Sequence, residues 1–222
     1  MRHARKLKRG VLSGNSFELI IRDWQGDKEQ TIAQLELIKS HGIANYFGSQ
    51  RFGHEGQNVT KALALFEGKK VGREQRSIYL SAARSYLFNQ VLACRVAQQN
   101  WNQPLAGDTY VFDQSHSYFK SELPDQDVID RVAAQAIHPT GPLWGRGEAG
   151  VSADAQAVIE RYPDLVQGLL KSEVDMDRRS LRVCVQDLQW QFINDAILQL
   201  RFTLPAGSYA TSVLREIIML NT

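Results

Sequence analysis

The chain has 222 residues, 43% of them hydrophobic and 23% charged, with a net charge of +2 and two cysteines. That composition describes an ordinary globular protein of one large or two modest domains, and it excludes a disordered chain or a disulfide scaffold. No apolar run approaches the roughly 18 residues of a membrane helix, and the basic N-terminus lacks the apolar segment of a secretory signal, so the cytoplasm is the expected compartment.

The positive charge is unevenly spread: Arg2, Arg5, Lys6, Lys8 and Arg9, with His3, crowd the first nine residues. Such a cluster reads either as a phosphate-contacting strand or as a solvated terminus. Residues 5–22 read as a β-hairpin turning at Gly14-Asn15, with Phe17, Leu19 and Ile21 on one face of the second strand. Asp27 to Ser40 reads as a helix capped by Asp27, with Ile32, Leu35 and Ile38 as its apolar stripe and Gly42 closing it.

The stretch Ile43 to Gly53, I-A-N-Y-F-G-S-Q-R-F-G, mixes an amide (Asn45), three aromatics (Tyr46, Phe47, Phe52) and a guanidinium (Arg51). Those groups suit a pocket that stacks on a base and hydrogen-bonds its edge. They equally suit a strand end with its aromatics in the core and Arg51 in solvent. A short helix follows, with Asn58 as its cap and Val59, Ala62, Leu63 and Phe66 at helical spacing, ending near Gly68.

The polar run Glu67–Gln75 is the candidate domain boundary. Ile78 to about Asn100 reads as one long helix with Leu80, Ala83, Leu87, Val91 and Cys94 on a common face. A strand at Thr109–Phe112 and helices near Asp125–Gln135 and Ser152–Arg161 follow. Gly145 to Gly150 spells G-x-G-x-x-G, but it follows Pro139 and Pro142 in what reads as a loop, so a Gly turn is the better reading. The five histidines show no ligand spacing, no G-x-S-x-G elbow occurs, and Cys94 and Cys184 read as small buried hydrophobes.

From Leu181 the pattern returns to β: Leu181–Val185, Gln189–Ile193, a turn at Asn194-Asp195, then strict alternation of Leu198, Leu200, Phe202 and Leu204 with polar residues. Pro205-Ala206-Gly207 ends that strand, and Ser208 to Met219 reads as a final helix. β-rich ends therefore flank a more helical middle, the pattern of one domain inserted into another.

N-Y-F-G-S-Q-R-F-G at 45–53 resembles the signature of the TruD family of tRNA pseudouridine synthases. Residues 2–17, S-A-A-R-S-Y-L-F-N-Q at 81–90, P-T-G-P-L-W-G at 139–145 and L-P-A-G-S-Y-A-T-S-V-L-R-E at 204–216 resemble further family segments in the family's order. The implied fold is α+β: a partial catalytic domain with a mixed or antiparallel sheet at 1–70 and 184–222, and an inserted, more helical domain at 71–183. The implied reaction isomerises uridine, at position 13 of tRNA, to pseudouridine with no cofactor and no metal.

By the same resemblance Asn45 contacts the target nucleotide and Tyr209 sets an aromatic ring against the uracil. Arg2, Lys6, Lys8, Arg9, Arg51 and Arg84 are candidates for the RNA backbone, although Arg51 and Arg84 suit bracing roles as well. The family's catalytic aspartate lies in a G-x-K-D-x-x-A-x-T-x-Q segment, and no aspartate here, from Asp23 to Asp195, stands in that pattern. The resemblance is to a family member lacking its N-terminal part, and the expectation is no turnover by this chain alone. The expected partner is tRNA, with no membrane and a monomeric state when complete. The alternatives are a non-catalytic tRNA-binding remnant, or one chain of a split enzyme.

Overall fold

The computed structural model describes residues 14–113, 115, 117–147 and 150–217. Its elements are β1 (Gly14–Ile21), α1 (Lys28–His41), β2 (Ile43–Ala44), α2 (Gln57–Phe66), α3 (Arg73–Ala97), β3 (Thr109–Phe112), β4 (Tyr118–Lys120) and α4 (Gln126–Ala133), then β5 (Ile137–Leu143), α5 (Ala153–Arg161), α6 (Pro163–Lys171), β6 (Asp177–Ser180), β7 (Arg182–Val183), β8 (Gln186–Asn194), β9 (Ile197–Pro205) and α7 (Ala210–Arg215). This is an α+β chain with antiparallel sheets, as expected. It divides into two compact units, one from Met1–Ile43 with Val183–Thr222 and one from Ala44–Arg182. No helix among the described residues is long and apolar enough to cross a membrane.

In the first unit the strand order is β1-β9-β8, all antiparallel. The period-two pattern of β9 buries Leu198, Leu200, Phe202 and Leu204 on one face, where they meet Leu35 and Ile38 of α1, Trp24, Leu188 and Val213. The Asp27 carboxylate accepts the Gln30 N–H at 3.0 Å and caps α1. Ile32, expected in the stripe, is exposed, and Gly42 takes φ 75° with an extended ψ instead of the left-handed helical form.

Gly14 and Asn15 form no turn. They pair with Pro205 and Leu204 within β1, and a Cβ on Gly14 would lie 2.5 Å from the Leu204 carbonyl oxygen. The glycine here answers close strand approach, not a positive φ. The remainder of the expected hairpin, including Arg2, Lys6, Lys8 and Arg9, lies outside the described residues. The later hairpin turns one residue further on than expected, because Asn194 pairs with Ile197 while its side-chain oxygen accepts the Ala196 N–H.

The second unit is built on α3. Its apolar face, Leu80, Ala83, Leu87 and Val91, packs with Ala62 of α2, Ala155 and Val158 of α5, and Leu165 and Leu169 of α6. Residues 67–72 connect α2 and α3, two helices of one core, and the compact unit begins at Ala44. The sequence reading has no α6. It begins with Pro163 at its first turn, and its Gly168 lies so close to Phe66 that a Cβ there would sit 2.1 Å from the ring. Cys94 and Cys184, expected to be buried, are half-buried.

The segment Ile137–Leu143, read as a loop for its two prolines, is strand β5 in a sheet of order β4-β3-β5-β6. A proline cannot donate to a ladder and is disfavoured in a strand paired on both sides. β5 avoids that conflict by pairing with β3 over 137–139 and with β6 over 140–143. Its His138 is buried, with Nδ1 accepting from Arg182 at 3.1 Å and Nε2 donating to Asp113 at 3.0 Å. The Arg182 guanidinium also donates to the Val132 and Ile137 carbonyls.

A buried ion pair closes the C-terminal end of α3. Arg95 donates to both Asp108 carboxylate oxygens and to the carbonyls of Asn100 and Gln103, while Asp108 also accepts the Leu105 N–H. Both side chains are 1% exposed.

Two predictions follow from these buried groups. Arg95→Met strands a buried carboxylate and should cost about 3–5 kcal/mol in denaturant unfolding, most of it recovered when Asp108→Leu is added. For His138, burial and the neighbouring Arg182 hold the imidazole below its ordinary pKa, against the opposing pull of Asp113. The unfolded chain then takes up the proton more readily, so this contribution is complete above about pH 6.5 and is lost as pH falls below it. His138→Gln should flatten the unfolding midpoint between pH 7.5 and 5.5, and an unchanged slope in that variant would assign it to other groups.

Candidate functional site

Asn45 leaves β2 with its backbone N–H on the Leu181 carbonyl at 2.9 Å. Its side chain is 7% exposed, so both ends of the amide need partners. The Nδ2 group donates to the Ser180 carbonyl at 2.8 Å, and Oδ1 accepts from Nη2 of Arg179. Arg179 also reaches the Asn45 carbonyl through Nε at 3.4 Å. An acceptor on one side and a donor on the other fix which end of the amide points where.

Two residues on, Phe47 lies outside any ladder, and the Asn89 side chain of α3 supplies what a strand would have given. Asn89 Oδ1 accepts the Phe47 N–H at 2.9 Å, and its Nδ2 donates to the Phe47 carbonyl at 3.0 Å. The Phe47 ring meets the edge of Phe88 at 5.5 Å, and the Arg179 and Arg51 guanidinium carbons lie 4.2 Å and 5.3 Å from its centroid. With Phe47 8% exposed, this aromatic is packed against cations and core.

Arg51 is half-buried, not in solvent, and donates to the Ser81 hydroxyl at 2.9 Å. It lies in a short 3-10 turn, Ser49–Phe52, that ends at Gly53. Asn58, expected to cap α2, lies inside it instead, with its amide 2.9 Å from where a Gly53 Cβ would be. Arg84 sends one nitrogen to the carbonyls of Leu143 and Asp175, both at 2.8 Å. Burial holds its pKa below the ordinary arginine value, against the pull of Asp177 and Asp175.

Asn45, Arg51 and Arg84 thus belong to the unit containing α3, whereas Tyr209 belongs to the other. Tyr209 is half-buried just before α7, where its carbonyl accepts the Ser212 N–H at 3.0 Å. Arg2, Lys6, Lys8 and Arg9 are outside the described residues. The G-x-G-x-x-G run, of which 148 and 149 are not described, follows β5. A Cβ on Gly145 would lie 2.4 Å from the Val174 carbonyl oxygen, so that glycine permits a backbone crossing. On the β1-β9-β8 sheet a shallow groove of about 510 Å³ is lined by Ser16, Phe17, Glu18, Gln189, Arg201 and Phe202, among others.

Sequence reasoning missed Arg179, Ser180 and Phe88. No motif in the sequence singles out Arg179, and only its position just before Ser180-Leu181 could have hinted at the strand pairing that brings it to Asn45. Arg178 is spent on structure, donating to the Thr140 hydroxyl at 2.8 Å, with its pKa pushed down by burial.

The Asn89 clasp can be tested directly. Asn89→Ala leaves two buried backbone groups of Phe47 unpaired and should lower stability by about 2–4 kcal/mol. Asn89→Asp, which keeps only the acceptor, should fall between that variant and the parent. Equal unfolding midpoints for Asn89→Ala and the parent would remove the clasp from the account.

Comparison with known proteins agrees with the resemblance seen in the sequence. The chain is similar to the tRNA pseudouridine synthase D of Methylococcus capsulatus, 45% identical over 98% of this chain and 63% of that protein. It is similar to that of Nitrosococcus oceani at 46% identity, over 98% of this chain and 63% of that protein. The chain therefore spans less than two thirds of the length of these relatives. A crystal structure of a tRNA pseudouridine synthase D (TruD) from Methanosarcina mazei has the same fold, with a TM-score of 0.69 at 20% identity over 96% of this chain and 70% of that one. The family profile for tRNA pseudouridine synthase D (TruD) matches residues 1–68 and 56–217, and the chain belongs to that family.

Proposed function

We propose that this chain is part of a tRNA pseudouridine synthase and holds the target uridine while the base is detached, turned and rejoined. The reaction breaks the C1′–N1 bond and forms a C1′–C5 bond; C5 gives up its proton and N1 gains one, so no oxidant, reductant or cofactor is consumed. The observation that carries the reading is that the Asn45–Gly53 signature of the family forms one bonded assembly. In it the Asn45 amide is fixed by Arg179 and Ser180, with the neighbouring backbone clasped by Asn89. An amide held in that way hydrogen-bonds the edge of a base taken out of its stack.

In this reading residues 1–70 and 184–222 serve catalysis, with Tyr209 against the uracil, and 71–183 form the inserted domain. Residues 44–70 carry Asn45 for catalysis while packing on the inserted part. Arg2, Lys6, Lys8, Arg9 and Arg51 contact the RNA backbone, and Arg84 braces the end of β5. The nucleophilic carboxylate comes from outside residues 1–222, because no aspartate among them stands in the family's K-D-x-x-A-x-T-x-Q pattern. The substrate is uridine 13 of a tRNA in the cytoplasm, and the complete protein acts as a monomer.

Unmodified tRNA should bind the purified chain, and pseudouridine should appear only when a segment bearing the aspartate is fused or added. Asn45→Ala should weaken that binding by roughly tenfold, the worth of one base-edge contact. Turnover by the chain alone would sink the proposal about the carboxylate, and equal tRNA affinity for Asn45→Ala would take Asn45 out of the site.

A further inference from the structure

The amide of an asparagine is nearly symmetric in shape, and it recognises a base only if something settles which end is oxygen and which is nitrogen. Uracil presents an N3–H donor beside carbonyl acceptors, while cytosine presents an N3 acceptor beside an N4–H donor. For a base held in one place, the two pyrimidines call for opposite orientations of the same amide. A freely turning asparagine serves either one and discriminates poorly.

Asn45 does not turn freely. Its Oδ1 faces the Arg179 guanidinium, a group with donors only, and its Nδ2 faces the Ser180 carbonyl, an acceptor only. Reversing the amide would break both hydrogen bonds and set N–H against N–H and oxygen against oxygen. Burial to 7% exposure removes the water that would soften that penalty. Arg179 is itself anchored, with its guanidinium 4.2 Å from the Phe47 centroid, 5.8 Å from that of Phe88, and on the Asn45 carbonyl.

We infer that Arg179 is the positioning residue that makes Asn45 selective for uracil over cytosine. It locks the amide so that the remaining Nδ2–H and the remaining Oδ1 lone pair stand in a fixed order. The inference rests on the reading of Asn45 as the residue that meets the target base. In it Arg179 acts through Asn45 and touches no substrate atom. Lysine is a poor replacement, because one flexible ammonium supplies neither the planar face on Phe47 nor a fork reaching the amide and the backbone together.

The test uses the 222-residue chain labelled with [15N]asparagine and two tRNA transcripts that differ only in carrying uridine or cytidine at position 13. In the parent, the Asn45 Nδ2 protons should give two separate resonances, one protected from solvent exchange, and the uridine transcript should bind roughly tenfold tighter. Arg179→Met should lose most of that protection and bring the affinity ratio towards one. Arg179→Lys should recover part of the protection and little of the ratio. The Asn89 side-chain N–H, held on the Phe47 carbonyl and labelled in the same chain, reports whether each variant is folded.

If Arg179→Met leaves both exchange and the ratio unchanged in a folded chain, the inference is overturned. The same holds if the parent binds both transcripts equally. A parent that binds neither transcript would instead bring down the tRNA reading beneath it, with the amide exchange still showing whether Arg179 holds Asn45.

Discussion

The clasp of Asn89 on Phe47 is the constraint on which the site depends. A backbone segment buried outside helix or sheet must find partners for its N–H and C=O groups, since each one left unpaired costs a sizeable fraction of a small domain's stability. Residues after β2 have no neighbouring strand at Phe47, and one side-chain amide from α3 supplies both donor and acceptor. That pairing fixes the height of the Phe47 ring against Phe88. The ring in turn gives Arg179 a surface to lie on, and Arg179 orients Asn45. A chain of contacts thus runs from a 25-residue helix to the Asn45 amide.

Arginine in this unit is used mainly as internal bracing. Arg84 ties the end of β5 to residue 175, Arg95 gathers the turn after α3 around Asp108, Arg178 holds Thr140, and Arg182 joins His138 to the carbonyls of Val132 and Ile137. Guanidinium suits this work, because its planar fork serves several carbonyls at once and its charge is hard to remove on burial. An arginine in the sequence is therefore no sign by itself of a contact outside the chain. A net charge of +2 gives no warning of that, since charge counts do not separate cations facing phosphate from cations facing carbonyls.

What was legible in the sequence was what local chemistry determines. The alternation along β9, the Asp27 cap of α1 and the buried stripe of α3 each follow from periodicity or from one side chain's reach, and they stand where expected. The errors come from features whose meaning depends on a distant partner. Gly14 serves β9 and not a turn, and Pro139 and Pro142 sit in a strand because its halves pair on different sides. Around the 45–53 stretch, the motif pointed to Asn45 and not to Arg179, because their contact exists only once a separation of 134 positions in the chain has closed.

That closure also explains how so large a segment can lie inside the site. The entropic cost of joining two ends grows only with the logarithm of the intervening length, about 0.6 kcal/mol for each doubling. Extending the connection from a short loop to more than a hundred residues is therefore inexpensive, provided the added chain folds on itself. The segment between Asn45 and Arg179 does so around α3, and it returns Ser81 and Asn89 to Arg51 and Phe47. An inert linker of equal length would close the same loop at similar entropic cost, yet would leave Phe47 unclasped and Arg179 without its aromatic support. The helical part therefore shapes the surroundings of Asn45 through the backbone it holds.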